Sequence, residues 1–141
     1  MMSHPTTKPV DVAVGILIRE NGDVLLAQRP VGKPYAGYWE FPGGKVEHDE
    51  PIADALRREF EEELGIKVLL SEPWCGVEYV YPHAHVRLHF FLIRHWHGEP
   101  QSLEGQALAW QGSIGVAPLL PATIPLIQWL DDSRSIQANK T

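Results

Sequence analysis

Residues 44–66 read GKVEHDEPIADALRREFEEELGI, a glycine-led loop running into a helix with carboxylates crowded on one side. Apolar residues recur at Ile52, Leu56, Phe60 and Leu64, the spacing of an amphipathic helix of about four turns. Pro51 suits the first helical position and Gly65 the residue just past the end, so both boundaries can be read locally. At about 100° per residue, Glu59, Glu62 and Glu63 share an arc of roughly 100° beside the apolar stripe, while Glu61 lies on the far side as a solvated charge. Like charges three and four residues apart repel, and acids near a helix C-terminus oppose its macrodipole. A chain that carries both penalties has a cation to offset them, so this helix face reads as a divalent-metal site.

On the N-terminal side, residues 10–19 (VDVAVGILIR) form a nearly continuous β-branched run, as in a strand buried on both faces. Residues 20–23 carry an Asn-Gly turn signal, and residues 24–29 are expected to return as the hairpin partner. Two prolines and two glycines make residues 30–37 a loop. Residues 38–41 then read as a short strand broken by Pro42-Gly43-Gly44. Beyond the helix, two long extended segments, 67–81 and 85–97, meet at Pro82, and the second alternates with period two. A strand at 107–111 and a helix centred on 124–130 complete the order β-β-β-α-β-β-β-α. That order predicts an α/β (α+β) fold, an α/β/α sandwich in which a mixed sheet is flanked by the acidic helix and a C-terminal helix. Residues 10–132 form the expected domain, with 1–9 a flexible leader and 133–141 a flexible tail.

The composition fits one globular domain: 141 residues, 44% hydrophobic, 21% charged. A net charge of −6 gives no electrostatic case for a nucleic-acid polymer, although a small phosphate compound can bind where metal ions supply positive charge. The single cysteine, Cys75, excludes an internal disulfide and fits a reducing cytoplasm. No apolar run has the length of a membrane span, and the first nine residues lack the apolar core of a signal peptide.

Gly44, Glu50, Arg58-Glu59-Phe60, Glu62-Glu63 and Gly65-Ile66 fall at the spacing of the Nudix signature, and all nine specified positions agree. At residue frequencies of roughly 5–8%, a chance match is on the order of one in a billion per starting position. The chain therefore resembles the Nudix hydrolases. The segments at 13–16, 40–45, 97–100 and 104–106 look like the MutT branch, whose members cleave nucleoside triphosphates to a monophosphate and pyrophosphate. This resemblance implies Mg²⁺, with Mn²⁺ able to substitute, held by Glu59, Glu62, Glu63, the backbone carbonyl of Gly43 and the outlying Glu104. Either Glu59 or Glu104 would serve as general base. Arg58 would orient a site glutamate, and Glu50 would brace the loop.

For the nucleotide, the resemblance implies contacts from Arg29, Glu40, Phe41, Pro42 and Gly43. Thr123 stands where the branch that reads oxidised guanine carries an asparagine, and Ala84 where it carries an arginine. A threonine hydroxyl cannot make an asparagine's paired contacts with a purine edge. Selectivity for 8-oxo-dGTP is thus open, as are hydrolysis of ADP-ribose, a nucleotide sugar or a pyrimidine triphosphate, and a silent ligand-binding Nudix fold. The intact, self-repelling glutamate set argues against the silent fold. Tyr79 or Tyr81 is a candidate for stacking on the base. The expected partner is a small nucleotide, for a monomer or a homodimer.

Overall fold

The computed structural model describes residues 8–138, with the backbone alone over 134–138. The leader expected at 1–9 falls outside the described residues except for Lys8 and Pro9, as does the end of the expected tail, 139–141. Seven strands and two helices follow in the order β1 (Val10–Leu17), β2 (Val24–Gln28), β3 (Trp39–Glu40), β4 (Gly43–Lys45), α1 (Ile52–Leu64), β5 (Lys67–Val80), β6 (His85–His97), β7 (Leu108–Gln111) and α2 (Ile124–Ala138). A mixed sheet runs β4-β1-β6-β5, and a smaller antiparallel one runs β3-β2-β7. Within the mixed sheet β1 is parallel to β6, and the other pairings are antiparallel.

The layers follow from the period-two alternation of β1 and β6. Ala13, Leu17, Phe91 and Ile93 pack with Leu56, Phe60 and Leu64 of α1. Val14, Ile16 and Phe90 pack on the other side with Leu126, Ile127 and Leu130 of α2. The expected sandwich is therefore present, with a core on each face of the mixed sheet. α1 sits close to β1 because residue 15 is glycine: a Cβ there would lie 2.4 Å from Phe60 Cζ and 2.7 Å from Ile93 Cδ1. Phe60 is fully buried, and truncating it to alanine would cost about 3–5 kcal/mol.

Two expectations need correction. The Asn21-Gly22 turn forms, with Gly22 N–H donating to Arg19 O at 2.9 Å and Asp23 N–H to Asn21 Oδ1 at 2.9 Å. The strands beside it nevertheless part after one bridge, Ile18 to Val24, and join different sheets. β1 is apolar on both faces, and β4 and β6 take both its edges, leaving none for β2. Secondly, Gly43 and Gly44 do not simply break a strand. They belong to β4, paired with Val14 and Ala13, and a Cβ at Gly43 would lie 2.2 Å from Ala13 O. α2 runs on to Ala138 in a stretch with no proline or glycine to stop it.

Candidate active site

α1 brings three of the predicted acids together. Glu59 and Glu63 are half-buried along the edge of its apolar face, and Glu62 lies further out. β4 passes directly over Glu59: a Cβ at Gly44 would lie 2.1 Å from the carboxyl carbon, so only glycine lets backbone and acid approach this closely. Gly43 is the preceding residue of β4, which puts its backbone beside the cluster.

Arg58 organises the outer side of these acids. Its Nε and Nη2 donate to the two Glu50 oxygens at 2.8 and 2.9 Å, a fork that fits a carboxylate bidentately. Nη1 donates to Glu59 Oε1 at 2.9 Å and to Glu62 Oε2 at 3.3 Å, and Nη2 to Lys45 O at 3.0 Å. Glu50 Oε1 also accepts the Glu47 N–H at 3.0 Å, which closes the loop before the helix. Arg58 and the Glu47 N–H together pull the Glu50 carboxyl down to about 2. Arg58 is thus placed to orient Glu59, and Glu50 to brace the loop.

Glu104 comes from a loop stitched to the end of α1. Gln101 N–H donates to Leu64 O at 2.9 Å and Leu103 N–H to Glu63 O at 3.1 Å. Gln106 Oε1 accepts the Glu104 N–H and the Ser102 hydroxyl, each at 3.1 Å, and Gln106 Nε2 donates to Glu63 O at 3.5 Å. Helix termini leave carbonyls without helical partners, and this loop satisfies two of them. Sequence reasoning missed this tether. A loop of Ser, Glu and Gln carries no periodic signal, and the partners are some 40 residues apart.

The cluster holds more negative charge than its surroundings support. Burial first, then the charges of Glu59 and Glu104, then a hydrogen bond donated by the protonated carboxyl to Glu59 and the charge of Glu40, push the Glu63 carboxyl up to about 8. Among the described residues no three His, Cys, Asp or Glu side chains are gathered as a ready-made metal cage. Glu59 and Glu62 are instead turned onto Arg58. The donor set still fits a hard divalent cation: it is all oxygen, partly buried at Glu59 and Glu63, and carries the like charges around Glu63 that a cation would offset.

From the acids the site continues to Glu40, at the end of β3. Arg29 Nη1 donates to Glu40 Oε2 at 2.9 Å, and Arg29 Nε donates to Pro34 O at 2.6 Å. Burial outweighs Arg29 and raises the Glu40 carboxyl above its ordinary value. The Glu40 charge reaches both the Glu63 carboxyl and the Tyr81 hydroxyl. Tyr81 packs with Leu120 and Ala122, flanked by Tyr35, Tyr38 and Tyr79, and its hydroxyl accepts the Ala122 N–H at 3.0 Å.

Other predicted contacts are placed differently. Phe41 and Pro42 are buried, and Phe41 belongs to the α2-side core, so the pair fixes the approach to Gly43 instead of offering side chains to solvent. Thr123, in the 3₁₀ turn Pro121–Thr123, is only 4% exposed. Ala84 closes the β5–β6 turn, its carbonyl accepting the Tyr81 N–H at 2.8 Å. Two surface grooves, one bordered by Arg19, Leu69 and Arg94 and one by Ile52, Trp74 and Cys75, contain none of these acids. Chemistry, not concavity, marks the site.

The model of the NUDIX domain matches residues 9–129. An 8-oxo-dGTP diphosphatase from Haemophilus influenzae is 39% identical over 125 residues, 87% of this chain and 92% of that protein. A CTP pyrophosphohydrolase from Escherichia coli is 41% identical over 123 residues, 86% of this chain and 90% of its own length. Among solved structures, a MutT NUDIX hydrolase from Burkholderia pseudomallei superposes with a TM-score of 0.79 at 31% identity, covering 86% of this chain and 98% of that one.

Proposed function

The chain belongs to the NUDIX family of hydrolases, and on that premise we propose that it cleaves (d)NTPs with water to a nucleoside monophosphate and pyrophosphate. The observation that carries this reading is the acid cluster on α1, with Glu59 and Glu63 partly buried and the backbone of β4 packed directly over Glu59, an all-oxygen site of the kind that phosphate cleavage needs.

Nudix hydrolases generally use a divalent metal. Mg²⁺, or Mn²⁺ in its place, would be held by Glu59, Glu62, Glu63, Glu104 and the Gly43 carbonyl, and when bound it supplies charge neutralisation of phosphate oxygens. The chain's own residues do the rest. Glu59 or Glu104 takes the proton from the attacking water, and Arg58 fixes the Glu59 carboxylate so that it meets the water in one orientation. Arg29 is paired with Glu40, from which it can turn to a phosphate or sugar oxygen. No helix of the described residues is long and apolar enough to cross a membrane. The proposed setting is the cytoplasm, as a monomer or homodimer.

Two relatives of similar identity differ in base, one named for 8-oxo-dGTP and one for CTP. A pyrimidine triphosphate is therefore the second reading, and Thr123, which lacks the paired contacts of an asparagine, supports it. The test is a panel of 8-oxo-dGTP, dGTP, CTP, dCTP, ADP-ribose and a nucleotide sugar, assayed with Mg²⁺ and scored by product. Pyrophosphate from a triphosphate is the expected result. Turnover of ADP-ribose or the sugar alone would overturn it, and no turnover at all would leave a silent ligand-binding domain.

A further inference from the structure

Tyr35 lies in the β2–β3 connection with φ +60, a left-handed conformation that a bulky side chain keeps only when its surroundings hold it there. What holds it is aromatic. Its ring centroid is 5.1 Å from that of Tyr38 at 86°, 5.4 Å from Tyr81 at 67° and 5.7 Å from His83 at 56°. Tyr81 in turn stacks with His83 at 5.3 Å and lies 4.4 Å from Tyr79. Tyr81 is buried and anchored through its hydroxyl to the turn that carries Thr123.

The loop that delivers Tyr35 is otherwise open. Residues 31–34 and Ala36 are exposed, and Val31 is 97% exposed. Besides short turns of its own, the loop is held at its base by Gln28 Nε2, which donates to Gly37 O at 3.0 Å, and by Arg29, which bonds Pro34 O through Nε and pairs its backbone with Gly37 and Tyr38. The same guanidinium pairs with Glu40. A ligand that draws the Arg29 side chain away from Pro34 removes the one side-chain bond, among the described residues, to the exposed part of the segment that carries Tyr35. The ring can then exchange edge contacts with other tyrosines for a face contact with a flat ligand, and a nucleobase offers two such faces.

We propose that Tyr35 is a specificity-determining residue, the movable aromatic wall of the cleft, which lays its ring against the base of the bound nucleotide. The proposal rests on the reading of the chain as a nucleotide hydrolase and extends it to a residue outside the Nudix signature. Stacking needs only a π-face, so the wall serves any base. A purine covers more of the ring than a pyrimidine and gains more from it.

The test uses Tyr35→Gly, which suits the left-handed backbone while removing the ring, and Tyr35→Phe, which keeps the ring. Affinities for dGMP, dCMP and the baseless ribose 5-phosphate are measured by calorimetry, beside KM and kcat for dGTP and dCTP. Tyr35→Gly is expected to weaken dGMP binding about tenfold, dCMP less, and ribose 5-phosphate not at all, with KM raised and kcat nearly kept. Tyr35→Phe should behave as wild type. Equal dGMP affinity in wild type and Tyr35→Gly would overturn the proposal, as would an equal loss for ribose 5-phosphate, or no dGMP binding by the wild type. If no triphosphate is cleaved but the dGMP affinities differ as stated, the reaction reading fails and the aromatic wall stands.

Discussion

The acid cluster and the ring cluster are built in different ways, and they form the acid end and the ring end of the proposed site. The acid end comes from one continuous stretch, β4 and α1, with a single loop stitched on by Gln101, Leu103 and Gln106. Its side chains are fixed by a rigid helix and by an arginine that bonds three carboxylates. The ring end is assembled from four separate segments: the β2–β3 loop, the end of β5, the β5–β6 turn and the 3₁₀ turn before α2. On the proposed function one end serves a reaction that every substrate shares, so its residues must stand at fixed spacing. The other would meet the part of the substrate that varies, and loops can change without disturbing the sandwich.

Substitutions at the acid end should therefore act on rate with all substrates alike, and those at the ring end on the choice among them. The largest effect is expected for Glu62→Gln and Glu63→Gln, each lowering kcat by at least about 10³-fold on every triphosphate, with circular dichroism unchanged. Near-normal turnover in either variant would remove that acid from the machinery. Arg58→Ala should follow. It strips the hydrogen bonds from Glu50 and Glu59, costing about 1–3 kcal/mol in chemical denaturation and lowering kcat about 10–100-fold without changing substrate preference. A shifted preference would mean that Arg58 touches the substrate.

The pH dependence of the metal-free protein separates two acids of the same end. Glu63 is raised to about 8 in the folded state, so its contribution is fully present below the ordinary carboxylate range and is lost as pH rises through about 8. Glu50 is held down at about 2, so its contribution is present above the ordinary range and is lost as pH falls toward 2. Melting curves from pH 3 to 9 should show Glu63→Gln flattening the alkaline decline and Glu50→Gln flattening the acid one. Identical slopes in wild type and both variants would contradict this assignment. The smallest effect is expected for Thr123→Asn, which should raise the 8-oxo-dGTP to dGTP ratio of kcat/KM by up to about tenfold. An unchanged ratio would place base reading elsewhere in the ring cluster.

The same division explains what could be read from the sequence. The helix, its caps and the arc of Glu59, Glu62 and Glu63 are local, set by a 3.6-residue period and by charges that repel at i,i+3 and i,i+4. The fork between Arg58 and Glu50 is nearly local, eight residues apart. Pairing of β1 with β6, across more than 70 residues, is not local, and the Asn21-Gly22 signal pointed instead to a hairpin. That turn residues favour a reversal says nothing about which edges win. Likewise Phe41 and Pro42 turn inward because the α2-side core claims Phe41, a choice made far from either residue. Tyr35 carried no signal: two of its three ring neighbours, Tyr81 and His83, come from another segment.

The central claim is that the carboxylates of α1 exist to hold a cation. It is tested most directly by titrating Mn²⁺ into the metal-free protein and following free Mn²⁺ by electron paramagnetic resonance. The wild type should bind with defined stoichiometry and release protons as it does so, while Glu63→Gln weakens binding at least about tenfold. Equal Mn²⁺ affinity in the two proteins, or none in the wild type, would contradict it.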